Sequence, residues 1–250
     1  MAKSHSIAEQ PLEEESYFVS MTDMMVGLLF IFILMLMYFA LQYQKTTEQL
    51  TNANKTRGEI LVKIGESLKN QGFEVEINPE SGILRLNEKV LRFSSGSAVV
   101  EYQYHDVIAA LANALGDVLP CYSNEQTYNE KSCTENEEKH WLEAVFIEGH
   151  TDNVPYPGGN LMLSTQRAGN TYAELTKVRS EIESLKNGEN QPLLSVSGYG
   201  EKRPVLESKA NDTSQHRQMN RRIELRIIMA TPQHENINQP VIESIKEKIE

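Results

Sequence analysis

The sequence predicts an α+β protein: a single N-terminal membrane helix, a helical connector, and a βα domain whose mixed sheet is packed by helices. Three observations carry that reading. Met24 to Leu41 reads MMVGLLFIFILMLMYFAL without a charge, and roughly 18–20 such residues cross the hydrocarbon core of a bilayer. The next stretch is polar with apolar residues at helical spacing. Beyond it, short apolar strands alternate with amphipathic helical patterns and glycine-rich turns.

Taken in order, residues 1–16 are acidic and polar, which predicts a loose tail. Residues 17–43 form the membrane helix, with Tyr17 and Phe18 at one end and Tyr38, Phe39 and Tyr43 at the other, as interfacial belts require. A cleaved signal peptide would need a basic n-region and a small-residue cleavage site. Glu13, Glu14 and Glu15 precede the apolar run instead, and Gln42-Tyr43-Gln44 follows it. Residues 44–72 are the connector, with Leu50, Ile60, Leu61, Ile64 and Leu68 as its apolar positions and Gly72 as its end.

The domain is expected over residues 73–230. Phe73, Val75 and Ile77 predict a strand, and Pro79-Glu80-Ser81-Gly82 a turn. Ile83, Leu84 and Leu86 then return, and Val90 to Phe93 lead into a Ser94–Ser97 loop. Val107, Ile108, Leu111 and Leu115 have helical spacing. Residues 120–141 form a polar insertion. Val145-Phe146-Ile147 is a buried strand, and Leu163 to Leu185 is one long helix. Leu194-Ser195-Val196 is another strand, and in the last one Ile223, Leu225 and Ile227 face one way while Arg222, Glu224 and Arg226 face the other. The polar tail, residues 231–250, has a possible short helix from Val241.

The net charge of −11 argues against nucleic acid as a direct partner. No cofactor is expected, and no His or Cys cluster has metal-ligand spacing. No nucleophile–base pair points to an enzyme, and His150 alone is a weak signal.

Three pieces of the second half coincide: Glu148-Gly149-His150-Thr151-Asp152, then Asn160 with Leu163-Ser164-Thr165-Gln166-Arg167-Ala168, then Asn220-Arg221-Arg222-Ile223-Glu224-Leu225. Gly198-Tyr199-Gly200-Glu201 and Pro204 lie between. In order and spacing these resemble the OmpA-like peptidoglycan-binding family, shared by flagellar motor B subunits and peptidoglycan-associated lipoproteins, over about Ile83 to Ile228. The resemblance implies a ligand: the diaminopimelate of a peptidoglycan stem, whose free end shows an ammonium and a carboxylate. Asp152 can accept from the ammonium. Arg167, fifteen residues on, can fork onto the carboxylate. Asn160, Leu163 and Arg221 belong to the same expected site, and a helix starting near Asn160 aims N–H groups at an anion. The residues alone leave another reading open, with Asp152 a turn residue, Arg167 a surface charge, and Asn220 to Arg222 strand-edge ion pairing. The sequence departs from the family pattern in its Val154-Pro155-Tyr156-Pro157-Gly158-Gly159 loop, stiffened by two prolines.

Lys and Arg are slightly commoner after the apolar run (Lys45, Lys55, Arg57) than before it (Lys3), which read literally places the N-terminus outside. The wall-binding resemblance implies the reverse: a single-pass inner-membrane protein with a cytoplasmic N-terminus and a periplasmic domain. An oxidising periplasm makes a Cys121–Cys133 disulfide plausible, with two free thiols as the alternative.

Asp23 stands at the entrance of the apolar run. An intramembrane acid usually faces a partner or a water path; alternatively Asp23 is an interfacial N-cap. Phe18, Asp23 and Met24-Met25 resemble the membrane entry of flagellar motor B subunits, and Ser20-Met21-Thr22-Asp23-Met24-Met25-Val26-Gly27-Leu28-Leu29-Phe30 is more similar to the B subunits of Zorya anti-phage defence systems. That resemblance implies a self-dimer whose two helices sit inside a ring of five MotA-like multi-span subunits, with Asp23 binding the transported proton or sodium ion. On an ideal helix Asp23, Gly27, Phe30 and Leu34 share a face, and Gly27 permits close packing. A flagellar-type stator subunit and a passive membrane-to-wall tether are the alternatives.

Overall fold

In the computed structural model, residues 12–124, 129, 133–136, 139–205 and 213–231 are described, with side chains from Phe18 onward. The chain divides into two units, residues 1–49 and 50–250. In chain order the elements are α1 (Leu12–Asn70), β1 (Glu76–Asn78), β2 (Ile83–Leu86), a 3-10 turn (Tyr102–Tyr104), α2 (His105–Val118), α3 (Pro120–Ser123), β3 (Leu142–His150), α4 (Asn160–Val178), a second 3-10 turn (Ser180–Ser184), β4 (Leu194–Gly198), α5 (Ser214–Asn220) and β5 (Arg222–Met229). The expected short helix from Val241 and the first eleven residues of the expected tail lie outside the described residues.

The first unit contributes the apolar part of α1, which is long and apolar enough to cross a membrane and exposes its large side chains. Helix begins at Leu12, within the stretch expected to be loose tail. Asp23 is therefore about three turns inside the helix. That corrects the N-cap alternative, because a cap stands at the boundary and its side chain must reach unsatisfied N–H groups of the first turn.

The second unit is built on one five-stranded sheet of order β1-β2-β5-β3-β4. β3 and β4 are parallel and the other neighbours antiparallel. α4 is the crossover between the parallel pair, as a parallel connection requires. One face of the sheet carries Leu84, Leu86, Val145, Ile147, Ile223, Leu225 and Ile227, all buried in a single core with Leu111 and Leu115 of α2 and Leu175 of α4.

The last turns of α1 are part of that core and not a free connector. Ile60, Leu61, Ile64 and Leu68 are fully or almost fully buried in it. Their spacing makes one apolar stripe, Gly65 abuts Ile77 of β1, and the Arg57 guanidinium donates to Glu80 O at 2.6 Å. The sequence boundary at residue 73 thus falls too late, because periodicity marks an amphipathic helix but not the surface that covers it.

The expected single helix from Leu163 to Leu185 is broken. α4 ends at Val178, and Arg179 leaves helical geometry (φ −131°, ψ 86°). Its guanidinium packs against Gly116 of α2 and reaches Asn113 and Asp117. The 3-10 turn that follows still buries Ile182, and Leu185 beyond it stays in the core, so the apolar pattern persists through a change of helix type. The predicted strand around Phe73 to Ile77 is shorter and begins later, at Glu76–Asn78. Cys121 and Cys133 are joined in a disulfide, Cα–Cα 5.2 Å. Near it, Thr56 of α1 meets His140 Nδ1 at 2.7 Å, and Lys63 pairs with Glu135.

Leu61→Ala is expected to destabilise the second unit by about 2–5 kcal/mol. Val62→Ala, on the more exposed side of the same helix, is expected to cost under about 1 kcal/mol. Urea unfolding followed by Trp141 fluorescence measures both, and equal effects would contradict the placement of α1 in the core.

Candidate binding site

The site forms where the C-terminal ends of β3 and β4 meet the start of α4. Any Cβ on Gly149 would fall on the Ser164 carbonyl, and any Cβ on Gly198 on Thr165. Two glycines at adjacent strand ends, paired Gly149 to Gly198 in the register, therefore let the helix backbone press onto the sheet edge. Ser164 Oγ accepts from the Gly200 N–H at 2.9 Å and fixes that contact. Asp152 follows Gly149 by three residues and Arg167 follows Ser164 by three, so the close approach brings the two together.

Asp152, Asn160, Leu163, Arg167 and Arg221, the five expected binding residues, all line one cavity of about 530 Å³. Glu88, Arg92, Phe93, Tyr156 and Arg217 complete much of its wall. α4 starts at Asn160, after Gly159 in a left-handed conformation (φ 84°), and the Asn160 amide donates to Asp152 O at 3.3 Å. Tyr156 of the proline-stiffened loop lies against Gly96 and Gly158.

Arg167 is not a surface charge. It is 4% exposed, with its guanidinium over the Phe93 ring at 5.1 Å. Nε donates to Ser97 O at 2.9 Å and Nη2 to Ser94 O at 3.3 Å. That loop is itself fixed: Ser94 bonds Glu101, and the Asn170 amide reaches Ala98 O at 2.7 Å. The side-on edge of the guanidinium is thus taken by backbone carbonyls, and Nη1 on its end-on edge donates to no group among the described residues. Burial is the main effect lowering the Arg167 pKa, with the Arg221 charge adding to it, while Asp152 acts in the opposite sense.

Asp152 and Arg167 form no ion pair with each other. Asp152 instead accepts from Val154 N at Oδ1 (3.1 Å) and from Arg221 Nη1 at Oδ2 (2.5 Å). Arg221 turns its other edge to Glu88, Nε to Oε1 at 3.0 Å and Nη2 to Oε2 at 2.7 Å. Glu88 raises the Arg221 pKa most, with Asp152 adding to it. Arg221 thus makes the ion pairs that the strand-edge alternative expects, and it does so while lining the cavity. Glu88 escaped sequence reasoning because nothing marks it in Asn87-Glu88-Lys89; only the fold brings it beside a residue 133 positions away.

On the polar face of β5, Arg222 and Glu224 are buried and Arg226 is half-buried. Glu148 and Glu224 lie directly opposite across β3 and β5, an arrangement that is unfavourable without countercharge. Arg226 clamps Glu148 with two bonds at 2.8 Å, while Arg85 and Arg222 hold Glu224 at 2.8 and 2.7 Å. His150, 1% exposed, stacks on Tyr199 and approaches Glu224 at 3.4 Å. Glu148, His150 and Glu224 are close enough to share a metal ion. Three guanidiniums already neutralise the two carboxylates, so a further cation would be repelled. His150 belongs to this cluster and does not line the cavity.

No family model matches the sequence, and no curated protein matches it. Solved structures do overlap with it. The periplasmic domain of Helicobacter pylori MotB is 19% identical, covering 67% of this chain and 85% of that one, TM-score 0.40. A putative MotB-like protein from Desulfovibrio vulgaris is 16% identical, covering 74% and 98%, TM-score 0.47. The cell wall anchor of the type VI secretion system from Pseudomonas aeruginosa is 19% identical, covering 70% and 99%, TM-score 0.44. Overlap at this level bears on neither chemistry nor partners.

Burial holds the His150 pKa below the usual histidine range, and Arg222 adds to this, while Glu224 and Glu148 oppose it. The unfolded chain then binds the proton more readily. Stability is full above about pH 6.5 and falls as the pH drops below that value towards the lower folded one. Urea midpoints between pH 7.5 and 5 should show this slope, and His150→Gln should flatten it. An unchanged slope in the variant would contradict a neutral buried His150.

Proposed function

We propose that the cavity binds the diaminopimelate end of a peptidoglycan stem, and that the chain is the wall-anchored B subunit of an ion-driven, MotAB-like inner-membrane motor of the Zorya defence kind. The observation that carries the wall reading is the convergence of the five expected residues on one cavity of about 530 Å³. Asp152 there offers a negative group and Arg167 an end-on guanidinium edge, separated and unpaired with each other. A group bearing an ammonium and a carboxylate on one carbon matches that pair. The ammonium sits on Asp152, the carboxylate on Arg167 near the first turn of α4, whose N-terminal dipole adds to the attraction.

The motor reading is supported by Asp23 standing inside the helix of an otherwise apolar segment. Thr22 spends its hydroxyl on Phe18 O at 2.8 Å, and nothing within 4 Å would meet a Cβ on Gly27. A face with an acid and a glycine one turn apart suits a close-packed neighbour that receives the acid. The N-terminus is then cytoplasmic, the domain periplasmic, and the partners are a second copy and a multi-span A-type subunit. The chemistry needed is ion binding at Asp23 and anchoring at Asp152 and Arg167, without an enzymatic step.

Asp152→Ala and Arg167→Ala are each expected to weaken co-sedimentation of the detergent-solubilised chain with purified sacculi about tenfold or more, as loss of a charge-assisted bond implies. Undiminished binding by the double variant would remove the site assignment. Asp23→Asn is expected to abolish anti-phage protection in cells while the complex with the A-type subunit still co-purifies. Full protection by that variant would leave the chain a passive tether.

A further inference from the structure

Both oxygens of Asp152 are engaged, one by Val154 N–H and one by Arg221 Nη1. A ligand ammonium therefore meets a carboxylate that already holds a cation. If Asp152 were the only partner of Arg221, the exchange would strand a partly buried guanidinium. It is not: Arg221 keeps two bonds to Glu88, which is itself 8% exposed and has Arg92 Nε 3.5 Å from its Oε1. We propose that Glu88 is a positioning residue that retains Arg221 while a ligand's primary ammonium replaces the guanidinium on Asp152.

Arg221 in this arrangement stands in for the ligand. In the free site it neutralises Asp152, so that the carboxylate is not left buried without a countercharge. When the ammonium arrives, Arg221 gives up one bond and keeps its bidentate pair, and the exchange costs one hydrogen bond in place of a whole ion pair. Glu88 and Asp152 share a single guanidinium, so the charge on Glu88 sets how firmly Arg221 holds Asp152. With Glu88 neutral, Arg221 has only Asp152 to balance it and competes fully with the ligand. Glu88 thereby governs the ammonium half of recognition and leaves the carboxylate half, on Arg167, untouched. The inference rests on the wall-binding reading above.

The test uses the full chain in detergent micelles, calorimetric titration, and two probes. One is the tripeptide L-alanyl-γ-D-glutamyl-meso-diaminopimelate, and the other is the same peptide acetylated on its distal nitrogen. Wild type should prefer the free amine. E88Q should lose about tenfold in affinity for the free-amine peptide and nothing for the acetylated one. Adding R221M to E88Q should recover most of the loss, because the competing cation is then gone. An equal loss for both peptides, or no recovery in E88Q/R221M, would mean that Glu88 only props the fold and would overturn the inference. Wild type binding both peptides equally would overturn it too, since Asp152 would then not read the ammonium. Binding of neither peptide by wild type would end the wall reading itself, and this inference with it.

Discussion

The backbone of α4 touches the ends of β3 and β4 at Gly149 and Gly198, and the geometry of the cavity depends on that contact. Ser164 and Thr165 occupy the space that side chains on either glycine would need. The helix start is held there from three sides: the Gly200 N–H on Ser164 Oγ, the Asn160 amide on Asp152 O, and Gly159 turning the chain into the helix. A shift of α4 by one side-chain thickness would separate Asp152 from Arg167, because one is fixed to the sheet and the other to the helix. The expected fifteen-residue spacing matters only because this contact folds it into proximity.

Around that contact the molecule repeatedly balances buried charge by sharing arginines. Glu148 and Glu224 face each other across the sheet and are held by Arg226, Arg85 and Arg222. Glu88 and Asp152 share Arg221 in the cavity. Removing one member of such a cluster exposes the rest as uncompensated charge, which is why buried pairs cost more to break than they contribute. Arg167 departs from this rule. It is buried on carbonyls and an aromatic ring with no carboxylate bound to it.

The sequence made the strand and helix pattern of the domain readable, because the alternation of Ile223, Leu225 and Ile227 and the helical spacing of Val107 to Leu115 are local signals. It also made the five cavity residues readable, through the order of three motifs. What it hid depends on packing partners far along the chain. Ile60 to Leu68 read as connector because nothing local says that β1 lies against Gly65. Leu163 to Leu185 read as one helix because the apolar period survives the break that Arg179 makes in reaching α2. Arg222, Glu224 and Arg226 read only as the face opposite Ile223, Leu225 and Ile227, because alternation shows that two faces differ and not what covers each. Glu88 carried no signal at all.

The two ends of α1 place different demands on one helix. Around Asp23 it exposes an apolar surface with one acid, which has no use in water and suits lipid or a partner helix. From Ile60 onward it is a core element of the second unit, as buried as any strand. A passive anchor would require only an apolar segment and some linker. Here the acid stands inside the helix and not at its cap, and the far end of the same helix is built into the domain. Both features are unnecessary for tethering. Each fits the motor proposed above, in which ions act at the membrane end while the wall holds the other end still.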